Sequence, residues 1–154
     1  MSGIMKKIIL ILFFILFTLG ASAQCNKPYK AFSAFAKDTT AFLRYNFKER
    51  TDCYKGKTVA QVLTDLQLTP KSYVPIPSTY KNKYSGIYVY VDNSYSAQRI
   101  ENPKMKTQYI YIYWPELMDY TDLLKLIRKY DDDVWVQEHY NFFKNNIVGE
   151  VSTK

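Results

Sequence analysis

The sequence predicts a small single-domain α+β protein. Near both ends of the chain, apolar residues recur at three- and four-residue steps, which is typical of helices with one buried face. Between these segments, apolar and polar residues alternate with a period of two, and turn-forming residues separate the runs, as expected for strands. We therefore expect a three- or four-stranded, mainly antiparallel sheet with helices packed on one face.

Residues 1–23 have the pattern of a signal peptide. The basic residues Lys6 and Lys7 precede an apolar run, Ile8–Leu19, and the small residues 21–23 follow at the expected cleavage site. The run is shorter than the roughly twenty residues that a membrane-spanning helix needs. We expect cleavage to leave a single domain, residues 24–154, with no permanent membrane span.

The mature domain is expected to be exported, to the periplasm or to the extracellular space. Its 131 residues are enough for one hydrophobic core and too few for two comfortable domains. A lipid anchor at Cys25 is the alternative to a free mature chain. The residues before it, 22–24, lack the leucine and the adjacent small residue of a lipoprotein signal.

The mature chain contains two cysteines, Cys25 and Cys53, and we predict that they form a disulfide. A reactive thiol is the alternative. With both sulfurs paired and His139 the only histidine, the chain lacks the nitrogen and sulfur ligands of a zinc site. No metal site and no cofactor are predicted.

Two helices are predicted in the N-terminal part. The first covers part of 28–47, with Asp38 as a possible internal start if the helix is broken in two. Thr58 and Gln61 form a capping box that starts the second helix, and Pro70 prevents its continuation.

The central part of the chain predicts the sheet. Residues 72–76 can form a strand, but Pro75 and Pro77 confine it to an edge. Residues 87–91 and 108–114 alternate strongly and are joined by a polar loop, so an antiparallel pair is the simplest topology.

The C-terminal part predicts two further helices and a short strand. Apolar residues recur at helical spacing within 120–130 and again within 135–143. Three aspartates at 131–133 precede the second helix, where acidic side chains stabilise free amides and the helix dipole. Residues 147–151 are predicted to add the last strand.

Tyrosines in the two central strands give the one specific functional hypothesis. Alternation directs the aliphatic residues to one face of the sheet and five tyrosines to the other. Together with nearby basic residues, they are predicted to bind a ligand: Tyr88, Tyr90, Tyr109, Tyr111, Tyr113, Arg99, Lys104 and Lys106. The alternative is structural, because tyrosine is a good strand former and a helix can cover such a face.

The charge distribution does not identify a partner. The mature chain has a net charge near +5, with a basic front, 27–106, and a mildly acidic back, 107–154. The basic residues are scattered and form no run of five, which favours an ordinary solvated surface over a nucleic-acid site. The partner is unknown, with a glycan or an envelope protein as candidates.

The inventory of catalytic residues is poor, so a non-catalytic binding module is favoured. Triads need a base that an acid holds beside a nucleophile, and no such set can be located from the sequence. His139 has the spacing of a residue at the edge of the core. No catalytic residue is assigned. The alternatives are a small enzyme acting on glycan or cell-wall material through carboxylates such as Glu116 or Glu138, and a structural subunit of an envelope assembly.

The segment 54–66 resembles the helix-then-strand half of PASTA domains, which are small extracellular cell-wall-binding repeats. The resemblance covers thirteen residues in one copy. No function is carried over from it.

Overall fold

The structure is a computed structural model that describes residues 25–92, 107–130 and 134–154. The predicted leader, the basic residues Arg99, Lys104 and Lys106, and the aspartates at 131–133 lie outside the described residues.

Within the described residues, the chain folds as an α+β domain with four α-helices and a four-stranded antiparallel sheet in the order β1-β2-β3-β4. The helices are α1 (Thr39–Leu43), α2 (Val59–Leu66), α3 (Thr121–Lys129) and α4 (Gln137–Phe143). The strands are β1 (Ser72–Pro77), β2 (Lys83–Tyr90), β3 (Tyr109–Asp119) and β4 (Glu150–Thr153). The predicted fold class is confirmed.

The first helical segment is broken at Asp38. A 3-10 turn at Phe32–Phe35 ends in left-handed residues, Ala36 and Lys37, with φ of 49° and 68°. Asp38 then caps α1, because its carboxylate accepts the Ala41 N–H at 2.9 Å. The predicted apolar stripe crosses this break, and a π-helical turn, Arg44–Lys48, continues α1.

The start of α2 has the predicted capping box. The Thr58 N–H donates to Gln61 Oε1 at 2.9 Å, and the Gln61 N–H donates to the Thr58 hydroxyl at 3.3 Å. The helix ends at Gln67, which adopts a left-handed φ of 51° before Pro70 is reached.

β2 and β3 form an antiparallel pair and β1 lies at an edge, both as predicted, and the pair occupies the centre of the sheet. Both central strands are longer than the alternating sequence suggested. They approach so closely at Gly86 that a Cβ atom there would overlap the Ile112 carbonyl, so only glycine fits this position.

The last strand was expected at 147–151 but spans Glu150–Thr153. The residues before it pair elsewhere: the Val148 N–H donates to the Lys57 carbonyl, and the Gly56 N–H donates to the Val148 carbonyl, both at 2.8 Å. This pairing with the loop before α2 delays the sheet ladder until Glu150.

The helices pack on one face of the sheet. That face and the helical layer supply fully buried apolar side chains to one core: Ile87, Val89, Ile110, Ile112 and Val151 from the strands, and Phe42, Val62, Leu66, Leu123 and Phe143 from the helices. The predicted direction of the aliphatic residues is confirmed.

Among the described residues, no helix has both the length and the apolar character that a membrane crossing requires.

Candidate ligand-binding surface

The tyrosine surface, defined as Tyr88, Tyr90, Tyr109, Tyr111 and Tyr113, lies on the sheet face opposite the aliphatic core residues. Strand register places Tyr88 opposite Tyr111 and Tyr90 opposite Tyr109. Directly opposed residues of antiparallel strands share a face, so the five rings form one group. Four are partly exposed, whereas Tyr90 retains only 6% of its accessible area.

The rings hold one another in place. Tyr88 is central: its ring centroid lies 5.4 Å from Tyr109 and 6.4 Å from both Tyr90 and Tyr111, and the pairs with Tyr109 and Tyr111 are edge-to-face. The Tyr111 and Tyr113 centroids are 5.3 Å apart. Edge-to-face pairs are favourable by about 0.5–1.5 kcal/mol beyond the area they bury. The surface is therefore ordered before any ligand binds.

The hydroxyls of Tyr109 and Tyr113 stay protonated at neutral pH. Burial, followed by the neighbouring tyrosines, raises the pKa of Tyr109 above its ordinary value. The pKa of Tyr113 is raised by burial first, then by Tyr88 and Tyr111, and then by the Glu150 carboxylate. Within the described part of the chain, no protein group hydrogen-bonds the hydroxyls of the four partly exposed tyrosines. Each can donate and accept one bond with a ligand.

The surface carries little charge where it is described. In the regular part of the ladder Glu150, opposite Tyr113, is the charged residue on this face. The predicted basic neighbours Arg99, Lys104 and Lys106 lie outside the described residues, and their place beside the tyrosines stays a prediction.

The Cys25–Cys53 disulfide is present and ties the start of the described chain to the loop before α2. A buried network that the sequence did not predict supports it. The Arg50 guanidinium is 6% exposed and donates from Nε to the Lys27 carbonyl at 2.9 Å, while Asn46 Nδ2 donates to the Lys30 carbonyl at 2.8 Å. Nothing in the residue pattern distinguishes this arginine from its solvated neighbours, so only the fold reveals it.

His139 lies in the core, not at its edge. The side chain is 1% exposed, its Nδ1 accepts the Val136 N–H at 3.2 Å, and its ring lies 4.5 Å from the Tyr73 ring. Burial lowers the pKa of His139, and the Glu138 charge and the Val134 backbone oppose that shift. The imidazole thus caps the start of α4 and packs that helix against β1.

The two carboxylates considered for catalysis are exposed and point to no acid–base pair. Glu138 accepts a hydrogen bond from the Tyr130 hydroxyl at 2.6 Å, and this bond is the main reason that the pKa of Glu138 is lowered. A general acid needs a raised pKa. Glu116 lies on the exposed part of β3. Neither carboxylate lines the groove at the turn between β1 and β2 or the groove beside Leu63 and Trp135.

Among the described residues, no group of three or more histidine, cysteine, aspartate or glutamate side chains is arranged to hold a metal ion.

Comparisons of the chain with protein-family models, with curated proteins and with solved structures found no match. Any inference about function therefore rests on the chain's own surfaces.

Proposed function

We propose that the chain is an exported, non-catalytic binding module that contacts a glycan through the tyrosine surface. The observation that carries the proposal is the position of this surface: four mutually packed and partly exposed tyrosine rings lie on the sheet face opposite the helices. Tyrosine offers rigid contact area at a low cost in conformational entropy.

Export is supported by two features of the N-terminal part. Residues 1–23 have the composition of a cleaved leader, and the Cys25–Cys53 disulfide belongs in an oxidising compartment. The periplasm and the extracellular space both meet that condition.

The two edges of the sheet are poorly suited to pairing with a strand of a partner, which favours ligand binding on the tyrosine surface. Pro75 and Pro77 have no backbone N–H, so β1 offers fewer donors to an added strand. Just before β1, the Lys71 carbonyl already accepts a hydrogen bond from the Trp135 N–H at 3.0 Å. On the other edge, the Thr51 hydroxyl donates to the Val151 carbonyl of β4. A ligand that approaches the sheet therefore meets side chains of the tyrosine surface.

A glycan suits the chemistry of this surface better than an apolar protein face does. Its tyrosines combine ring area with hydroxyls that bond no described protein group, and sugars present both C–H faces and hydroxyl groups. The low charge of the described face matches a ligand recognised by contact and hydrogen bonding.

The test is a binding screen with neutral and anionic polysaccharides on the disulfide-intact mature protein. The variant Tyr88→Ala/Tyr109→Ala/Tyr111→Ala removes the centre of the surface, and circular dichroism checks that it is folded. For a neutral polysaccharide we expect at least a tenfold loss of affinity, equivalent to about 1.4 kcal/mol. Tyr140→Ala, which removes a partly exposed tyrosine of α4, is the matched control and should bind normally.

Two outcomes would contradict the proposal. Unchanged binding of a neutral polysaccharide by the folded triple variant would remove the tyrosine surface from the ligand site. Absence of polysaccharide binding, together with a stable oligomer that the triple variant dissociates, would favour the structural-subunit alternative.

A further inference from the structure

A second concave surface lies at the end of the sheet away from the tyrosine surface, at the turn between β1 and β2. This turn groove has a volume of about 390 Å³ and is open to solvent. Its walls include Pro75, Pro77, Tyr80, Lys81, Asn82 and Tyr120. It shares no residue with the tyrosine surface.

The turn that forms the groove is held by backbone hydrogen bonds. The Ser78 N–H donates to the Lys83 carbonyl at 3.2 Å, and the Tyr120 N–H donates to the Asn82 carbonyl at 2.9 Å, which fixes the turn to the start of α3. Asn82 has a φ of 57°, a left-handed conformation that asparagine tolerates better than most residues. The groove is therefore a preformed feature.

Three adjacent side chains on this turn combine complementary binding functions. Tyr80 is 68% exposed, the highest value among the exposed large apolar residues of the described chain. Lys81 is exposed and has no ion pair among the described residues, whereas the nearby Lys83 ammonium lies 3.5 Å from Asp119. The exposed Asn82 adds an amide that both donates and accepts.

We propose that the turn groove binds a sugar that carries a carboxylate. The ring of Tyr80 packs against the sugar ring, the Lys81 ammonium pairs with the carboxylate, and the Asn82 amide bonds sugar hydroxyls. Tyr120, whose ring centroid lies 5.7 Å from that of Tyr84, forms the fixed wall behind them.

A carboxylated sugar fits these groups better than a neutral sugar or a nucleic acid. A neutral sugar would form no ion pair with the Lys81 ammonium, whereas a carboxylate would. A nucleic-acid strand requires a row of cations along its phosphates, and the groove has one unpaired lysine among the described residues. The volume is of the size that accommodates a small ligand.

The probe is tetragalacturonate, compared with its fully methyl-esterified form, which keeps the rings and removes the charges. Binding to the disulfide-intact mature protein is measured by calorimetry at low and high salt. We expect the acid to bind at least about threefold more tightly than the ester, with the difference shrinking in high salt, as for an exposed ion pair.

Variants locate the contacts. Tyr80→Ala should weaken binding of the acid about tenfold, and Lys81→Gln should weaken it about threefold while leaving binding of the ester unchanged. Lys55→Gln, an exposed lysine outside the groove, is the matched control and should change neither. These side chains are exposed, so the variants should fold normally.

The proposal would be overturned by equal affinity for acid and ester, by equal effects of Lys81→Gln and Lys55→Gln, or by no binding at millimolar acid. The triple tyrosine variant described above should retain tetragalacturonate binding at the groove. This result distinguishes the two proposals, because binding at the turn groove and binding at the tyrosine surface can each be disproved independently.

Discussion

The two faces of the sheet are formed by the same strands, but one face is buried under the helices and the other is partly exposed. In β3, Ile110 and Ile112 are fully buried under the helices, while the alternating Tyr109 and Tyr111 remain partly exposed and pack against Tyr88. Period-two alternation sorts the side chains between the faces. Which face is covered depends on where the helices pack, and that is a property of the whole fold.

The largest expected difference between the faces is in stability. Ile112→Ala should lower the free energy of unfolding by roughly 2–5 kcal/mol, because it removes fully buried atoms and leaves a cavity. The adjacent Tyr111→Ala should cost about 1 kcal/mol, the scale of cross-strand contacts at a partly exposed position. Urea unfolding of both variants measures the contrast. Equal costs would mean that the tyrosine surface is a second core.

The disulfide tests whether the helical side can be weakened without changing the tyrosine surface. Cys25→Ser/Cys53→Ser should lower the free energy of unfolding by about 3 to 4 kcal/mol. The two cysteines are 28 residues apart, and without the disulfide the unfolded chain between them regains its conformational entropy. In native conditions, nitration of Tyr109 and Tyr111, located by peptide mass mapping, should proceed at the wild-type rate. A changed nitration rate would show that the disulfide affects the exposure of the tyrosine surface.

A buried histidine, His139, gives the helical side a stability that depends on pH near neutrality. The pKa of His139 is lowered in the folded state, so below about pH 6.5 the unfolded chain takes up this proton first. Its contribution to stability is present above that pH and is lost as the pH falls. Tyr73 and Tyr130 face the ring, and the neighbouring Glu138 carboxylate opposes the shift.

Unfolding measured from pH 7.5 to 5 should therefore show stability falling with pH in the wild type. His139→Asn removes the titrating group but keeps a side-chain oxygen as an acceptor for the Val136 N–H, and it should show a shallower fall. Identical slopes would mean that other groups cause the acid sensitivity.

Local patterns predicted much of this fold. The Thr58 capping box, the Asp38 break, the edge prolines and the opposite directions of isoleucine and tyrosine all depend on neighbouring residues in the chain. Features that depend on contacts between distant segments could not be predicted this way. The buried Arg50, the delayed start of β4 and the full burial of His139 are of this kind.

The same distinction between local patterns and distant contacts applies to the two candidate sites. Alternation predicted the members of the tyrosine surface, but not that Tyr90 is buried while its neighbours are partly exposed. The turn groove was missed because its walls come from β1, the following turn and the start of α3. In sequence, the residues around Tyr80 indicate only a turn.

The smallest predicted effect concerns electrostatics within the tyrosine surface. Strand register places Glu150 opposite Tyr113, and its charge contributes to the raised pKa of that phenol after burial and the neighbouring tyrosines. Glu150→Gln should therefore shift the pKa of Tyr113 slightly downward. Burial remains the largest cause, followed by Tyr88 and Tyr111, so the pKa of Tyr113 should stay above its ordinary value.

Carbon-13 labelling of the tyrosine rings and an alkaline NMR titration would measure this shift. The matched control is Glu116→Gln, an exposed carboxylate that is not among the groups acting on the Tyr113 pKa. No change with Glu150→Gln, or equal changes with both variants, would show that the carboxylate does not act on the rings directly. A downward shift at Tyr113 with Glu150→Gln alone would show that this carboxylate acts directly on the phenol opposite it.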